Sequence, residues 1–181
     1  DAVFMTKAMD ILKMNKETEK FYKVFCQKTQ SKNGMWEQRF YTDGKLAPCW
    51  GYQIDETASV VFGVYEHYKY TNSEKFLKEN LQMCEKATDF LKRYIKDWVQ
   101  KVALANPNIS FRLLNDGKSV FFTNGNGNIL DIIYLMYGKK IKENLLEVNY
   151  ESDNIKVTGV IGNTMISRDN RKEQILFLNK R

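Results

Sequence analysis

One long amphipathic helix is the feature that most constrains this sequence. From Phe76 to Val102, apolar residues recur at intervals of three and four, which is the spacing of one face of an α-helix. Asn72 or Ser73 can cap its start, and Asn106-Pro107 ends it, because proline lacks a backbone N–H and clashes with the preceding turn. The pattern predicts a helix of about thirty residues, or roughly 45 Å at 1.5 Å per residue. The sequence patterns on its two sides differ.

Before this helix, the apolar spacing is helical. A first helix is predicted from Ala2 to about Met14, and Asn15 offers an N-cap for a second helix. A polar stretch with a turn at Asp43-Gly44 follows, and Asp55 is a candidate N-cap for a third helix. Together with the long helix, four helices are predicted.

After Pro107, the patterns are those of strands and turns. The tetrapeptide Asn115-Asp116-Gly117-Lys118 separates two apolar runs and is typical of a hairpin, since glycine supplies the positive φ that such turns need. Ile129 to Tyr137 is a short helix ended by Gly138. A second hairpin turns at Glu151–Asn154, and Gln174–Leu178 is predicted as a last strand.

These patterns predict an α+β fold. An N-terminal α-helical part is joined through the long helix to a small α/β part with about five strands. The predicted domains are residues 1–95 and 96–181. The loop Asn124–Asn128, which precedes the short helix, is interpreted as a turn with an N-cap asparagine rather than as a phosphate-binding loop, because it matches no known phosphate motif.

Composition indicates a globular chain, with 43% hydrophobic and 28% charged residues. The net charge of +6 suggests an anionic partner, yet the excess is evenly spread. Residues 1–96 hold 16 Lys and Arg against 13 Asp and Glu, and residues 97–181 hold 12 against 9, so neither half is a basic module. A solvated surface is favoured over a phosphate-binding patch for the densest basic groups, which are Lys139, Lys140 and Lys142, then Arg168, Arg171 and Lys172, then Lys180 and Arg181.

Metal, disulfide and membrane chemistry are not indicated. The three cysteines are widely spaced, which predicts neither a disulfide framework nor a zinc site and fits a reducing cytoplasm. His67, the sole histidine, is interpreted as a partly buried or surface residue of a helix rather than a ligand or general base. We expect no cofactor and no membrane span. The absence of an initiator methionine before Asp1 would be explained by a fragment boundary or by processing.

Three separated motifs in the first half resemble glycoside hydrolase family 15, the glucoamylase-like enzymes. They are Asp1–Phe4, Met35–Gly44 and Cys49–Ala58. The mixture of aromatic, amide and carboxylate side chains is also one that sugar sites use. The resemblance implies an (α/α)6 barrel, and it implies that Asp1, Trp50, Gln53 and Asp55 are the positions that bind a terminal glucose.

The same resemblance implies that hydrolysis is absent. The arginine that precedes the family's aspartate is missing before Asp1, and neither the general acid nor the base of the family has a match. An inverting glycosidase needs two carboxyl groups about 6.5 to 9.5 Å apart, whereas Asp55 and Glu56 are neighbours at a predicted helix start. Four predicted helices are also far fewer than the twelve of the family's barrel.

Several motifs in residues 97–181 resemble the MutL mismatch-repair family. They are Val99–Phe111, Phe122–Asn128, Val157–Gly162 and Gln174–Arg181. The resemblance is to the second half of the family's N-terminal ATPase region, without its nucleotide-binding motifs. It implies that Arg168, Arg171 and Lys172 face DNA, in contacts that would be weak and steeply salt-dependent.

The leading hypothesis is therefore a chimera, joined near Tyr94–Asp97, of an engineered, natural or assembly-error origin. It lacks both complete active sites, and no catalysis is expected. The alternatives are a weak glucan-binding remnant of a glucoamylase and a DNA-binding remnant of a mismatch-repair ATPase. Apolar surface left without partners, including Phe62, Tyr65 and Phe90, favours a homo-oligomer.

Overall fold

The computed structural model describes residues 2–49, 53–171 and 173–179. The chain divides into two compact units, Asp1–Ile95 (unit 1) and Lys96–Arg181 (unit 2). Unit 1 is helical and unit 2 holds helices and antiparallel strands, so the α+β fold class that the sequence predicted is confirmed. Within the described part of the chain, no helix is both long and apolar enough to cross a membrane.

Unit 1 contains the helical elements that the sequence periodicity predicted. They are α1 (Ala2–Ile11), α2 (Asn15–Lys20), a π-helical segment (Phe21–Cys26), α3 (Gln27–Thr29), α4 (Asp55–Thr71) and the first part of α5 (Glu74–Ala105). The segments from α2 to α3 follow one another without a break, so they correspond to a single predicted helix. The long helix is confirmed, since α5 has 32 residues and ends just before Asn106.

Two of the predicted caps are corrected by the structure. Asn15 is the first residue of α2 rather than its cap, and no residue in the described ranges hydrogen-bonds to its buried side-chain oxygen. Asp55 lies inside the first turn of α4, where Ile54 holds the cap position. Ser73 does cap α5, because its Oγ accepts a hydrogen bond of 3.3 Å from the Phe76 N–H. Asn72 instead ends α4 in the left-handed conformation, with φ of 51°.

The core of unit 1 forms where α1, the π-helical segment, α4 and α5 each supply a buried side chain, among them Val3, Tyr22, Val64 and Phe76. The loop after α3 is held to this core by Trp36, whose indole N–H donates to the Cys26 carbonyl over 3.0 Å. Phe62 and Tyr65 of α4 are exposed, whereas Phe90 of α5 is half-buried.

Unit 2 contains two hairpins separated by two helices. Its elements are the end of α5, β1 (Arg112–Asn115), β2 (Lys118–Phe122), α6 (Ile129–Tyr137), α7 (Lys139–Lys142), β3 (Leu145–Glu151), β4 (Lys156–Gly162) and a 3-10 helix (Thr164–Ile166). The first hairpin turns through Asp116 and Gly117, with φ of 50° and 75°, as its sequence predicted. Ala103, Leu104, Phe121, Ile132 and Ile133 form the buried core.

One of the about five predicted strands, Gln174–Leu178, is not formed in the described residues. They form four strands, paired as two separate antiparallel sheets, β1 with β2 and β3 with β4. Gln174–Leu178 has apolar residues but no strand, and Leu176 and Leu178 are 91% and 79% exposed. A strand exists only where a neighbouring edge accepts its backbone hydrogen bonds, and no described strand pairs with this segment.

Candidate nucleic-acid interface

The predicted DNA-binding residues lie in the segment that follows the 3-10 helix. Arg168 and Arg171 are both exposed and three positions apart, whereas Lys172 lies outside the described residues. An exposed guanidinium keeps its charge and presents several N–H donors to a phosphate. The structure therefore places two of the three candidates where an anionic ligand can reach them.

Asn163 ties the start of this segment to the end of α7. Its backbone N–H donates to the Asn144 carbonyl over 2.9 Å, and its side-chain Nδ2 donates to Asn144 Oδ1, also over 2.9 Å. The Asn163 Oδ1 accepts a hydrogen bond of 2.9 Å from the Met165 N–H, which caps the 3-10 helix. The chain thus leaves β4 in a direction set by three hydrogen bonds.

Tyr137, at the end of α6, ties the other end of the same segment. Burial and then the Glu173 carboxylate, which accepts a hydrogen bond from the Tyr137 hydroxyl, raise the pKa of Tyr137 to about 12. The positive charge of Arg168 is close enough to oppose this shift. Arg168 therefore lies near the end of α6, although it is distant in sequence.

The lysines of α7 differ in their partners. Lys142 Nζ lies 3.0 Å from Asp131 Oδ1 and 5.6 Å from the centre of the Tyr134 ring. A hydrogen bond from Asn126 and then the Lys142 ammonium hold the pKa of Asp131 below its usual value. Lys139 and Lys140 are exposed, and Lys139 lies 3.4 Å from Glu143. The ammonium group of Lys142 therefore already has an acidic and an aromatic partner within unit 2.

The loop before α6 is a capping turn, as its sequence predicted. Asn128 Oδ1 accepts a hydrogen bond of 2.9 Å from the Leu130 N–H, and Gly125 and Gly127 have positive φ values of 71° and 81°. The carboxylate of Asp131 stands in the first turn of α6. A negative charge there opposes phosphate binding at the helix N-terminus.

The predicted glucan-binding residues are not gathered into a pocket by the described residues. Asp1 and Trp50 lie outside them. Gln53 is exposed and accepts a 2.5 Å hydrogen bond from the Gln38 amide, and Asp55 is exposed in the first turn of α4. Unit 1 has a cavity of about 10 Å³ between α1 and α4 and an open groove of about 430 Å³ on α5, and neither is lined by Gln53 or Asp55.

A buried acid–histidine pair is the polar site of unit 1 that sequence reasoning missed. His67 is 1% exposed, so the interpretation as a partly buried or surface residue is wrong. Its Nδ1 lies 2.9 and 2.8 Å from the two carboxylate oxygens of Asp10, and its buried Nε2 has no hydrogen-bond partner among the described residues. No local pattern indicates the pair, because α1 and α4 bring together residues that are 57 positions apart.

Comparison with known proteins gives a partial match to one family. The family described as DNA mismatch repair protein, C-terminal domain, matches residues 133–181, which include α6 after its first turn, α7, β3, β4 and the segment with Arg168 and Arg171. The matched part of the chain is thus similar to this mismatch-repair family, and the candidate DNA-binding residues lie within it.

Similar curated proteins carry the name DNA mismatch repair protein MutL. The chain is 48% identical to the protein of Clostridium tetani over 87 residues, which are 48% of this chain and 14% of the relative. It is 46% identical to the protein of Agathobacter rectalis over 88 residues, covering 49% of this chain and 14% of the relative. The chain spans about a seventh of the length of these relatives. No solved structure matches.

A third relative matches a longer stretch. The MutL protein of Clostridium acetobutylicum is 40% identical over 114 residues, which are 63% of this chain and 17% of the relative. This is more than Lys96–Arg181 contains, so part of the match lies in unit 1. The comparisons give no support to a glycoside hydrolase segment.

Proposed function

We propose that the chain is part of a MutL-like mismatch-repair protein and that it contacts the DNA backbone through Arg168, Arg171 and Lys172. The observation that carries the proposal is the position of Arg168 and Arg171. Both are exposed, on a segment held by Asn163 and Tyr137, within the residues that match the mismatch-repair family. This favours the DNA-binding alternative over the glucan-binding one.

The expected binding mode is electrostatic. Lysine and arginine that neutralise phosphates release condensed counterions, so the logarithm of the binding constant falls linearly with the logarithm of the salt concentration. Each phosphate contact contributes about 0.9 to that slope on duplex DNA. Three contacts imply weak binding that a moderate rise in salt abolishes.

The test is fluorescence anisotropy of a labelled duplex titrated with the whole chain at several salt concentrations. We expect the triple variant Arg168→Gln, Arg171→Gln, Lys172→Gln to bind more weakly and to reduce the salt slope by about 3. The matched control is Lys75→Gln, Lys78→Gln, Lys86→Gln, which removes the same charge from exposed positions of α5. Retention of DNA by the wild-type chain that does not depend on salt would contradict the proposal.

The chimeric origin remains a hypothesis, in which unit 1 derives from a glucoamylase-like enzyme and the join falls near Tyr94–Asp97. The match that extends into unit 1 favours a continuous MutL-like origin for at least part of that unit. Sequencing single, unassembled DNA molecules across the codons for these residues tests the hypothesis. A natural gene that encodes both segments contiguously would exclude engineering and assembly error.

We also infer that the chain has no turnover of its own, because catalysis requires reacting groups that converge in space, and the motifs that supply them in both families have no match in this sequence. The measurement is hydrolysis of starch and of ATP by the purified chain. Activity that a single point substitution abolishes would contradict the inference.

A further inference from the structure

We propose that Lys139 and Lys140 of α7 form one cationic surface with Arg168 and Arg171, and that this surface binds the phosphodiester backbone of duplex DNA. The inference rests on the proposed function. It adds two residues that the resemblance to the mismatch-repair family did not assign to DNA, and it explains what the basic cluster after α6 does.

The two parts of this surface are joined at Asn144. The Asn144 side chain donates a hydrogen bond of 2.8 Å to the Lys140 carbonyl, and its backbone and side-chain oxygens both accept hydrogen bonds from Asn163. One side chain therefore links the end of α7 to the start of the segment that carries Arg168. Lys140 is four positions before Asn144, and Arg168 is five positions after Asn163. The hydrogen bonds between Asn144 and Asn163 therefore bring these two parts of the chain together.

Tyr137 provides a second and independent link. It is the last residue of α6, two positions before Lys139, and it packs against the same core cluster as Ile175, two positions after Glu173. Glu173 lies two positions after Arg171. The segment with the two arginines is thus held against the start of α7 as well as its end, and the four basic residues share one region of unit 2.

The charges of this region determine which residues can bind. Lys142 is engaged with Asp131 and the Tyr134 ring, so it is left out of the proposal. The Lys139–Glu143 pair is 77% and 58% exposed, and an ion pair in water contributes little, so a phosphate can replace Glu143 as its partner. Three more acidic residues lie in or near this region. Asp169 is exposed, Asp97 lies 2.7 Å from Lys101, and the charges of Glu173 and Asp97 add to burial in raising the pKa of Tyr137.

The geometry favours the backbone over the bases. A helix that reads bases must enter the major groove, and α7 has four residues, which is just over one turn. Lysines at its surface can reach phosphates without entering a groove. We therefore expect binding that does not depend on base sequence.

The experiment compares charge-matched pairs of substitutions in the whole chain, with a labelled duplex of mixed sequence. We expect Lys139→Gln with Lys140→Gln to weaken binding and to reduce the salt slope by about 2. The control pair is Lys118→Gln with Lys156→Gln, in the two hairpins. Lys156 starts β4, at the end of the strand opposite Asn163, which is about 20 Å away at 3.3 Å per residue. Lys139→Arg with Lys140→Arg keeps the charge and should retain binding.

Each outcome separates the two proposals. Loss of affinity for the Lys139 and Lys140 glutamine pair, with no loss for the Lys118 and Lys156 pair, supports the inference. Equal loss for the Lys118 and Lys156 pair overturns it, since net charge would then suffice. Loss for Arg168→Gln with Arg171→Gln, but none for the α7 pair, overturns the inference and leaves the proposed function standing. A wild-type chain without salt-dependent binding overturns both, and circular dichroism shows whether each variant is folded.

Discussion

Asp10 and His67 make a buried polar contact between α1 and α4, at 4% and 1% exposure. A carboxylate only accepts hydrogen bonds, so the Nδ1–H of His67 donates to it. Removing one member of such a pair leaves the other buried without its partner, which costs more than the pair contributes. Substitution of either residue is therefore expected to destabilise unit 1.

We expect Asp10→Ala to destabilise the chain by about 1 to 3 kcal/mol, because the buried Nδ1–H of His67 loses its acceptor. The measurement is urea unfolding followed by circular dichroism. The control is Lys7→Ala, which removes an ion pair with Glu66 between the same two helices, at 2.9 Å, where the two side chains are 55% and 21% exposed. Because that pair is solvated, its loss should cost at most about 1 kcal/mol. Equal effects of the two substitutions would contradict this account.

Glu56, in the first turn of α4, has a buried side-chain oxygen for which the described residues offer no hydrogen-bond partner. Burial, and then the neighbouring Asp55 carboxylate, raise its pKa above the ordinary value. An acid whose pKa is raised on folding binds its proton more tightly in the folded state than in the unfolded state. Stability therefore falls as the pH rises through this range, because the folded state must then hold a poorly solvated charge.

We accordingly expect Glu56→Gln to raise the midpoint of thermal unfolding at pH 7 and to have a smaller effect at a pH below the ordinary pKa of glutamate, where the wild-type group is protonated in both states. The measurement is the unfolding midpoint of both proteins across pH. Glu17→Gln, at an exposed position in the first turn of α2, is the control. A stabilisation that is independent of pH would show that the charge of Glu56 is not its cause.

At the scale of elements, local hydrogen bonds explain which sequence signals were reliable. Ser73, one of the two residues predicted to cap α5, does so because its hydroxyl needs only the N–H three residues ahead. The prediction of Asn15 as an N-cap was wrong, because α2 begins at Asn15 itself and Met14 holds the cap position. Gln174–Leu178 was wrong because a strand depends on a distant partner, which no local pattern indicates.

The Asn128 cap of α6 gives an element-scale prediction. We expect Asn128→Ala to cost about 1 kcal/mol, because the Leu130 N–H loses its acceptor at the start of a helix that carries Ile132 and Ile133 into the core. Asn128→Asp keeps an acceptor and adds a negative charge near the helix N-terminus, so it should retain stability. Chemical unfolding of the three proteins checks this, and an equal loss for both variants would contradict the capping role.

At the scale of the whole molecule, β3 and β4 have one apolar face that is exposed in the part of the chain that the structure describes. Leu146 pairs with Ile161 and Tyr150 pairs with Val157 on this face, and all four side chains are exposed. The opposite face places Leu145 and Val160 against the core of unit 2. Exposed apolar surface next to unpaired strand edges favours association.

We therefore expect the purified chain to form a homo-oligomer whose measured mass rises with concentration, by size-exclusion chromatography with light scattering. Ile161→Lys should shift the population toward the monomer, because it places a charge within the apolar face. Thr158→Lys, on the opposite face of the same strand, is the control. A monomer at all concentrations, or the same shift for both variants, would contradict the expectation.

The sequence alone determined the elements that depend on neighbouring residues: the long helix α5, the Asp116-Gly117 hairpin, the Asn128 cap and the division of the chain into a helical and a mixed part. Periodicity and turn chemistry act over a few residues, so they can be read directly. Tertiary structure decided the rest, including the burial of His67 against Asp10, the absence of a strand at Gln174–Leu178 and the approach of α7 to the arginine segment. These depend on contacts between residues far apart in the chain, and such contacts form only when the elements pack.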